Sequence, residues 1–294
     1  MVFDSHTHAW GPNVDDHPWK TDSMIQLARD LPVPDVYSAE ELLAGMDDIG
    51  VDEAVVVGLP LPEWHDNWYN AKIAEEYDRL YSIILADPFQ ENAAEKLQDE
   101  ASHEDVLGYR LAPVYPRDGM YEVDPAETVQ SDWLVDTIAE EAFWEATAET
   151  GSMVTLLVHI GQLDQVLQLV EEYPELNYVI DHLGRTDADV PLDDEEFRQF
   201  EELSKYENVL VKASALPFLS RSEYPYEDIE EYVRWMLDTF GRKRVAWGSD
   251  YPFVSSVGAE YEETLTCLEH FDSLSSSDHK WLTERTFKRF ADIK

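Results

Sequence analysis

Apolar residues in this chain fall into two alternating patterns: short, near-continuous runs, and longer stretches in which they recur every three to four positions. The first pattern marks strands buried on both faces, and the second marks amphipathic helices. In order, the strand-like runs are VFDSHTH, EAVVVGL (53–59), YSIILADP, VLGYRLAP, MVTLLVHIG, LNYVIDHLG, NVLVKASAL and RVAWGSD. Between them stand helical stretches: SAEELLAGMDDIG capped by Ser38, DNWYNAKIAEEYDRL, ENAAEKLQDEAS, QLDQVLQLVEEYP, DDEEFRQFEELSKY and YEDIEEYVRWMLDTFG. WLVDTIAEEAFWEATAETG reads as one long helix closed by glycine, and YEETLTCLEHF and DHKWLTERTFKRFADI complete the chain. Eight strand-helix units of this kind predict a closed parallel α/β barrel with its helices outside. An open doubly wound sheet would carry a glycine-rich phosphate loop after the first strand, whereas this chain has DSHTH there. No repeat, linker or low-complexity segment interrupts the pattern, so residues 1–294 read as one domain.

Charge changes the picture of the surface. There are 63 acidic against 21 basic residues, a net charge of −42, and the acids are spread along the whole chain. With aromatics at 12% and periodic apolar runs, this is a folded protein with an acid-coated surface rather than a disordered one. Such a coat resembles proteins of salt-loving microbes and predicts a halophile-like source. A docking patch for a cationic partner would concentrate the acids instead. Nucleic acid is excluded as a partner by the scarcity of Lys and Arg. Cys267 is the sole cysteine, which excludes an intrachain disulfide, and it reads as a buried inert thiol. No secretory h-region and no apolar run near the ~18 residues of a membrane span are present, which predicts a cytoplasmic protein acting on a small molecule. Self-association is left open.

In a barrel of this kind chemistry gathers at the C-terminal ends of the strands. That rule selects His6 and His8 on one face of strand one, His159 at the end of strand five, His182 after strand six and Asp250 after strand eight. The remaining histidines, His17, His65, His103, His270 and His279, fall in loops or helices and read as surface residues. An isolated H-x-H can merely polarise a turn, and an isolated G-S-D can be a turn cap. Four strand ends repeating the feature point instead to a metal centre: His6, His8 and His159 as nitrogen ligands, with Asp250 closing the shell or standing beside a bound water. Such a donor set favours one divalent ion, zinc first. Asp4 reads as structural or as an acceptor for a ligand's second nitrogen. His182 reads as a polar catalytic group near the metal, with a satisfied core histidine as the plainer alternative.

These residues resemble the amidohydrolase superfamily, in its branch of amidohydrolase-related TIM-barrel metal-dependent hydrolases. The resemblance runs from Asp4, His6 and His8 through HIGQLDQVLQLVEEYPELNYVIDHLGR and NVLVKASAL to FGRKRVAWGSDYPF. It implies a metal role for His6, His8, His159 and Asp250, and the general-base role for Asp250. Binuclear relatives carry a bridging carboxylated lysine on strand four, where this chain has Arg110, which implies one metal, or none as in some lactonases of the branch. Thr286 stands where many relatives have asparagine, and is taken as structural. Sugar-acid lactonases of the branch often follow H-x-H with an aromatic and then a P-W pair, as Trp10 and then Pro18 and Trp19 do here, and carry D-H-L-G-R at strand six. Metal-dependent decarboxylases share the strand-eight run but tend to H-G-G at strand six. The resemblance therefore implies a hydrolase opening a sugar-acid or carboxylated lactone. A decarboxylase of a carboxylated aromatic or muconate-like acid is the alternative, and a non-catalytic ligand-binding barrel a third reading. In the lactonase reading Asp250 moves the proton, His182 stabilises an oxyanion or relays a proton, and Arg110 holds substrate oxygens from the rim. Trp10, Trp19 and Tyr251 are pocket-wall candidates.

Overall fold

The computed structural model describes residues 1–18, 36–59, 66–115, 131–186 and 188–294. Its strands are β1 Val2–Thr7, β2 Val51–Val57, β3 Leu80–Leu85, β4 Val106–Leu111, β5 Met153–Leu156, β6 Tyr178–Ile180, β7 Val209–Ser214 and β8 Val245–Gly248. Each pairs in parallel with the next in sequence order. The ring closes just beyond β8, where the Asp250 N–H donates to the His6 carbonyl and the His8 N–H to the Tyr251 carbonyl, both at 2.8 Å. The result is the expected (β/α)8 TIM barrel.

Helices α1 Ala39–Ile49, α2 Trp68–Glu76, α3 Ala93–Glu100, α4 Glu141–Thr150, α5 Leu163–Glu172, α6 Glu195–Leu203 and α7 Glu230–Phe240 fill the connections. Ser38 caps α1 as read, its hydroxyl accepting the Glu41 N–H while the Glu41 carboxylate accepts the Ser38 N–H. The stretch read as one long helix before β5 is instead broken into Trp133–Asp136, a tighter turn Thr137–Ala139, and α4. The Thr137 carbonyl accepts the Glu140 N–H at 2.9 Å in that tighter turn and the Trp144 indole at 2.6 Å as well. The C-terminal stretch runs through Ser276–Lys280, one wide turn Trp281–Arg285 and Thr286–Phe290. Thr286 ties it to the barrel through a hydroxyl donated to the Arg242 carbonyl at 2.7 Å. Cys267 is buried and unpaired with another cysteine.

The lumen is filled by Phe3, Val55, Val57, Ile83, Met153, Val179, Leu210 and Ala246, with Phe287 of the C-terminal stretch packed against them. β1 slips register against β2 between Asp4 and Thr7. A bulge of this kind changes which residues face inward. Phe3 therefore packs in the lumen while His6 and His8, an odd number of positions further on, still turn inward above it. β7 keeps strict alternation, so Leu210, Lys212 and Ser214 rise through the lumen in one row.

Among the described residues the buried acids are Asp4, Asp181, Asp250 and Asp278, and no glutamate is buried. The rest of the described carboxylates are half-buried or exposed and repel one another under a net charge of −42. Raising salt from about 0.1 M to 1 M shortens the Debye length from about 10 Å to about 3 Å. The thermal midpoint is therefore expected to rise steadily with potassium chloride into the molar range, as followed by calorimetry. A flat midpoint would contradict a salt-adapted coat. Among the described residues no helix is long and apolar enough to cross a membrane.

Candidate active site

The end of β1 is fastened to the end of β8 by a buried carboxylate. Asp4 Oδ1 accepts the N–H groups of His6 (3.0 Å) and Ser249 (2.9 Å), and Oδ2 accepts the Tyr261 hydroxyl at 2.9 Å. Burial pushes the Asp4 carboxyl up to about 6, with those hydrogen bonds opposing the shift. Gly248 allows the close approach, since a Cβ there would lie 2.7 Å from His6 Cβ and 2.9 Å from its backbone nitrogen.

Held this way, His6 and His8 meet Asp250. His8 Nδ1 lies 2.8 Å from the Val57 carbonyl, which can only accept, so Nδ1 carries the hydrogen. His8 Nε2 then faces Asp250 Oδ1 at 3.0 Å. His6 Nε2 lies 3.5 Å from the same oxygen and is a buried atom with no hydrogen-bond partner. Burial, with Lys212 and Arg110 nearby, holds the His6 imidazole well below the usual histidine range, so it is neutral. One carboxylate oxygen thus stands beside two imidazole nitrogens in a buried site, a lone pair at His8 Nε2 and a partnerless His6 Nε2, with no positive charge between them. A divalent cation fits that donor set, one ligating atom from each of His6, His8 and Asp250 lying within 4.8 Å of one another. Asp250 itself adopts a left-handed backbone, φ 64°, which aims its carboxylate back across the barrel mouth.

A second buried group, His6, Asp181 and His182, shares one histidine with the first. It suits a cation less, because Asp181 is already neutralised by Arg110 Nε at 3.0 Å and Lys212 Nζ at 3.2 Å. Burial raises the Asp181 carboxyl, but Lys212 and Arg110 outweigh it and hold it below the usual carboxylate range. His182 sits beside this pair in a left-handed turn, φ 53°. Its Nε2 lies 3.3 Å from Arg110 Nη2, a group that can only donate, so Nε2 is the acceptor and Nδ1–H donates to Ser214 Oγ at 2.8 Å. Burial and neighbouring cations hold His182 well below the usual histidine range. With its Nε2 lone pair turned to Arg110, the neutral ring has no proton there for Asp250 Oδ1, 3.8 Å away.

Of the sequence-predicted site residues, His6, His8, His182 and Asp250 come together. His159 enters neither group. β5 ends at Leu156, so His159 caps the following turn, and its Nδ1 accepts the Gly161 N–H at 3.1 Å. Arg110 is buried inside the barrel rather than open on a rim, as a charged side chain there requires a counter-ion and β6 supplies one. Trp10 is buried between Tyr37 and Phe253, and Tyr251 stacks on Tyr261 with centroids 4.6 Å apart and an interplanar angle of 4°, so both rings are engaged in packing. Trp19 lies outside the described residues. Sequence reasoning missed Asp181, Lys212 and Ser214, and also Phe253, whose ring meets His8 edge-on at 5.4 Å.

The amidohydrolase family model matches residues 3–278. An L-fucono-1,5-lactonase of Burkholderia ambifaria is 27% identical over 255 residues, 86% of this chain and 81% of the relative. A Pseudomonas putida protein described as a candidate 2-pyrone-4,6-dicarboxylic acid hydrolase superposes with a TM-score of 0.75 at 20% identity, covering 100% of this chain and 98% of its own. An amidohydrolase of Burkholderia multivorans with bound zinc gives a TM-score of 0.75 at 21% identity, covering 100% of both chains.

Proposed function

The chain belongs to the amidohydrolase family, and we propose that within it this protein opens the ester ring of a small sugar-acid or carboxylated lactone, using one divalent cation, zinc first. The observation that carries the reading is the single Asp250 oxygen set against both His6 Nε2 and His8 Nε2 in a buried site. The lactone is supported by the likeness to the fuconolactonase of Burkholderia ambifaria.

His6, His8 and Asp250 would hold the ion, which supplies Lewis-acid polarisation of the ring carbonyl and the attacking water. The chain's own residues do the rest. Asp250 takes the proton of the attacking water and returns it to the alkoxide that leaves as the ring opens. The Arg110 guanidinium, fixed by Asp181 at Nε, presents its Nη2 edge to His182 and is the donor for negative charge developing on substrate oxygen. His182, with its lone pair at Nε2, accepts from Arg110 and holds that edge in place. Oxyanion stabilisation therefore falls to Arg110 rather than to His182. Phe253 and the edge of His8 form one wall over the reacting ring.

The test is a hydrolysis panel in molar salt on protein of measured metal content. Aldonolactones and carboxylated lactones are expected to open, and elemental analysis to find close to one equivalent of divalent metal. Two equivalents in active protein would contradict a single centre, because Lys212 and Arg110 occupy the second group. Carbon dioxide released from a carboxylated aromatic acid, with no lactone opened, would make the protein a decarboxylase. Metal retained without turnover on any of these compounds would make it a binding barrel.

A further inference from the structure

His6 Nδ1, Asp181 Oδ1 and Lys212 Nζ form a triangle with each side 3.2 Å. All three side chains are fully buried. A neutral imidazole carries one hydrogen, so two arrangements exist and exclude each other. In the first, Nδ1–H donates to Asp181, and Nε2 turns a lone pair toward Asp250 and His8. In the second, Lys212 donates to the Nδ1 lone pair, and Nε2, 3.5 Å from Asp250 Oδ1, carries the hydrogen. Asp181 and Lys212 keep their charges in both, and the imidazole stays neutral in both, so only the hydrogen's position differs.

The neighbours decide which arrangement prevails. Without a cation, the first would leave Asp250 Oδ1 facing two nitrogen lone pairs at 3.0 and 3.5 Å, whereas the second replaces one of those lone pairs by an N–H, at a separation where no hydrogen bond is made. With a cation between them, the lone pair at His6 Nε2 becomes a bond. We propose that Asp181 and Lys212 are positioning residues that select the tautomer of His6: Lys212 holds the metal-free form with its hydrogen on Nε2, and Asp181 takes over the hydrogen at Nδ1 when a divalent cation enters. Arg110 keeps Asp181 ionised throughout from its other oxygen. Lys212 thus opposes cation binding and Asp181 favours it, although the two residues touch. This inference rests on the cation reading of the His6, His8 and Asp250 site.

The experiment is nitrogen NMR of protein labelled at histidine, with the His6 signals identified by their loss in His6→Asn. Metal-free wild type is expected to carry the hydrogen on Nε2, and protein saturated with zinc on Nδ1. Metal-free Lys212→Met is expected to carry it on Nδ1 already, and to bind zinc several-fold more tightly in competition with a chromophoric chelator, because the competent tautomer no longer has to be recruited. Metal-free wild type with its hydrogen on Nδ1 would overturn the proposal without any variant. So would Lys212→Met with its hydrogen still on Nε2. Zinc that binds without moving the hydrogen removes this inference alone, whereas zinc that fails to bind removes the cation site as well.

Discussion

Asparagine in place of Asp250 is expected to lower kcat by about 10²- to 10⁴-fold on whichever lactone the wild type opens, the usual worth of a positioned general base. The amide matches the carboxylate in shape but cannot take a proton. It is also the substitution that the backbone tolerates best, since position 250 is left-handed at φ 64° and asparagine, like aspartate, adopts that conformation at little cost. Alanine there would add backbone strain and blur the reading. Two N–H···O=C bonds, from Asp250 to His6 and from His8 to Tyr251, hold this segment independently of the side chain, so the thermal midpoint is expected to stay close to wild type. Rates should be taken at saturating zinc with metal content measured in parallel, because removing a negative donor also weakens the ion's hold. A rate within a few-fold of wild type in zinc-loaded Asp250→Asn would remove Asp250 as the base.

Much of the barrel was legible because strand and helix leave different periods in the sequence. All eight strands lie where the apolar runs place them, and Ser38 caps its helix through the Ser and Glu spacing that the sequence displays. The helix read through 133–151 failed because Glu140 closes a tighter turn on the Thr137 carbonyl and leaves the helical range at φ −88°, ψ 58°, and helical spacing of apolar residues is blind to that. His159 stands outside both buried groups for a related reason. MVTLLVHIG is apolar to its end, yet pairing stops at Leu156, and where a strand stops depends on neighbours that a local pattern does not contain.

The site was half legible. The H-x-H pair and Asp250 stand out because polar residues at strand ends break an apolar run, but β1 reaches its inward geometry through a register slip that no local pattern reveals. Asp181 and Lys212 carried a signal that was available. In VLVKAS the lysine falls on the same strand face as Leu210 and Ser214, and a lysine facing into a closed barrel needs a buried acid. Asp181, one residue before His182 at the end of a three-residue strand, is the acid that meets it. Arg110 was read from the absence of a family lysine, which fixes its strand but not its partner.

The same network sets the largest expected effect on stability. Asp181→Asn would leave Arg110 and Lys212, both buried, facing an amide in place of their shared carboxylate. Breaking a buried ion pair from one side costs about 3 to 5 kcal/mol, because the surviving charge is stranded away from water. For a chain of this size that corresponds to a midpoint lower by roughly ten degrees. Removing the stranded lysine as well should return part of the loss, so Asp181→Asn with Lys212→Met is expected to be more stable than Asp181→Asn alone. The stability so lost also depends on pH. Asp181 is held below the usual carboxylate range, so its contribution is present above the unfolded carboxylate value of about 3.9 and disappears as pH falls through and below it. Wild type and Asp181→Asn should therefore differ most near neutrality and converge in acid. Calorimetry of the wild type, both single variants and the double variant across that range completes the cycle. A double variant no more stable than Asp181→Asn, or a gap that stays constant into acid, would mean that the charges of Arg110 and Lys212 do not depend on Asp181.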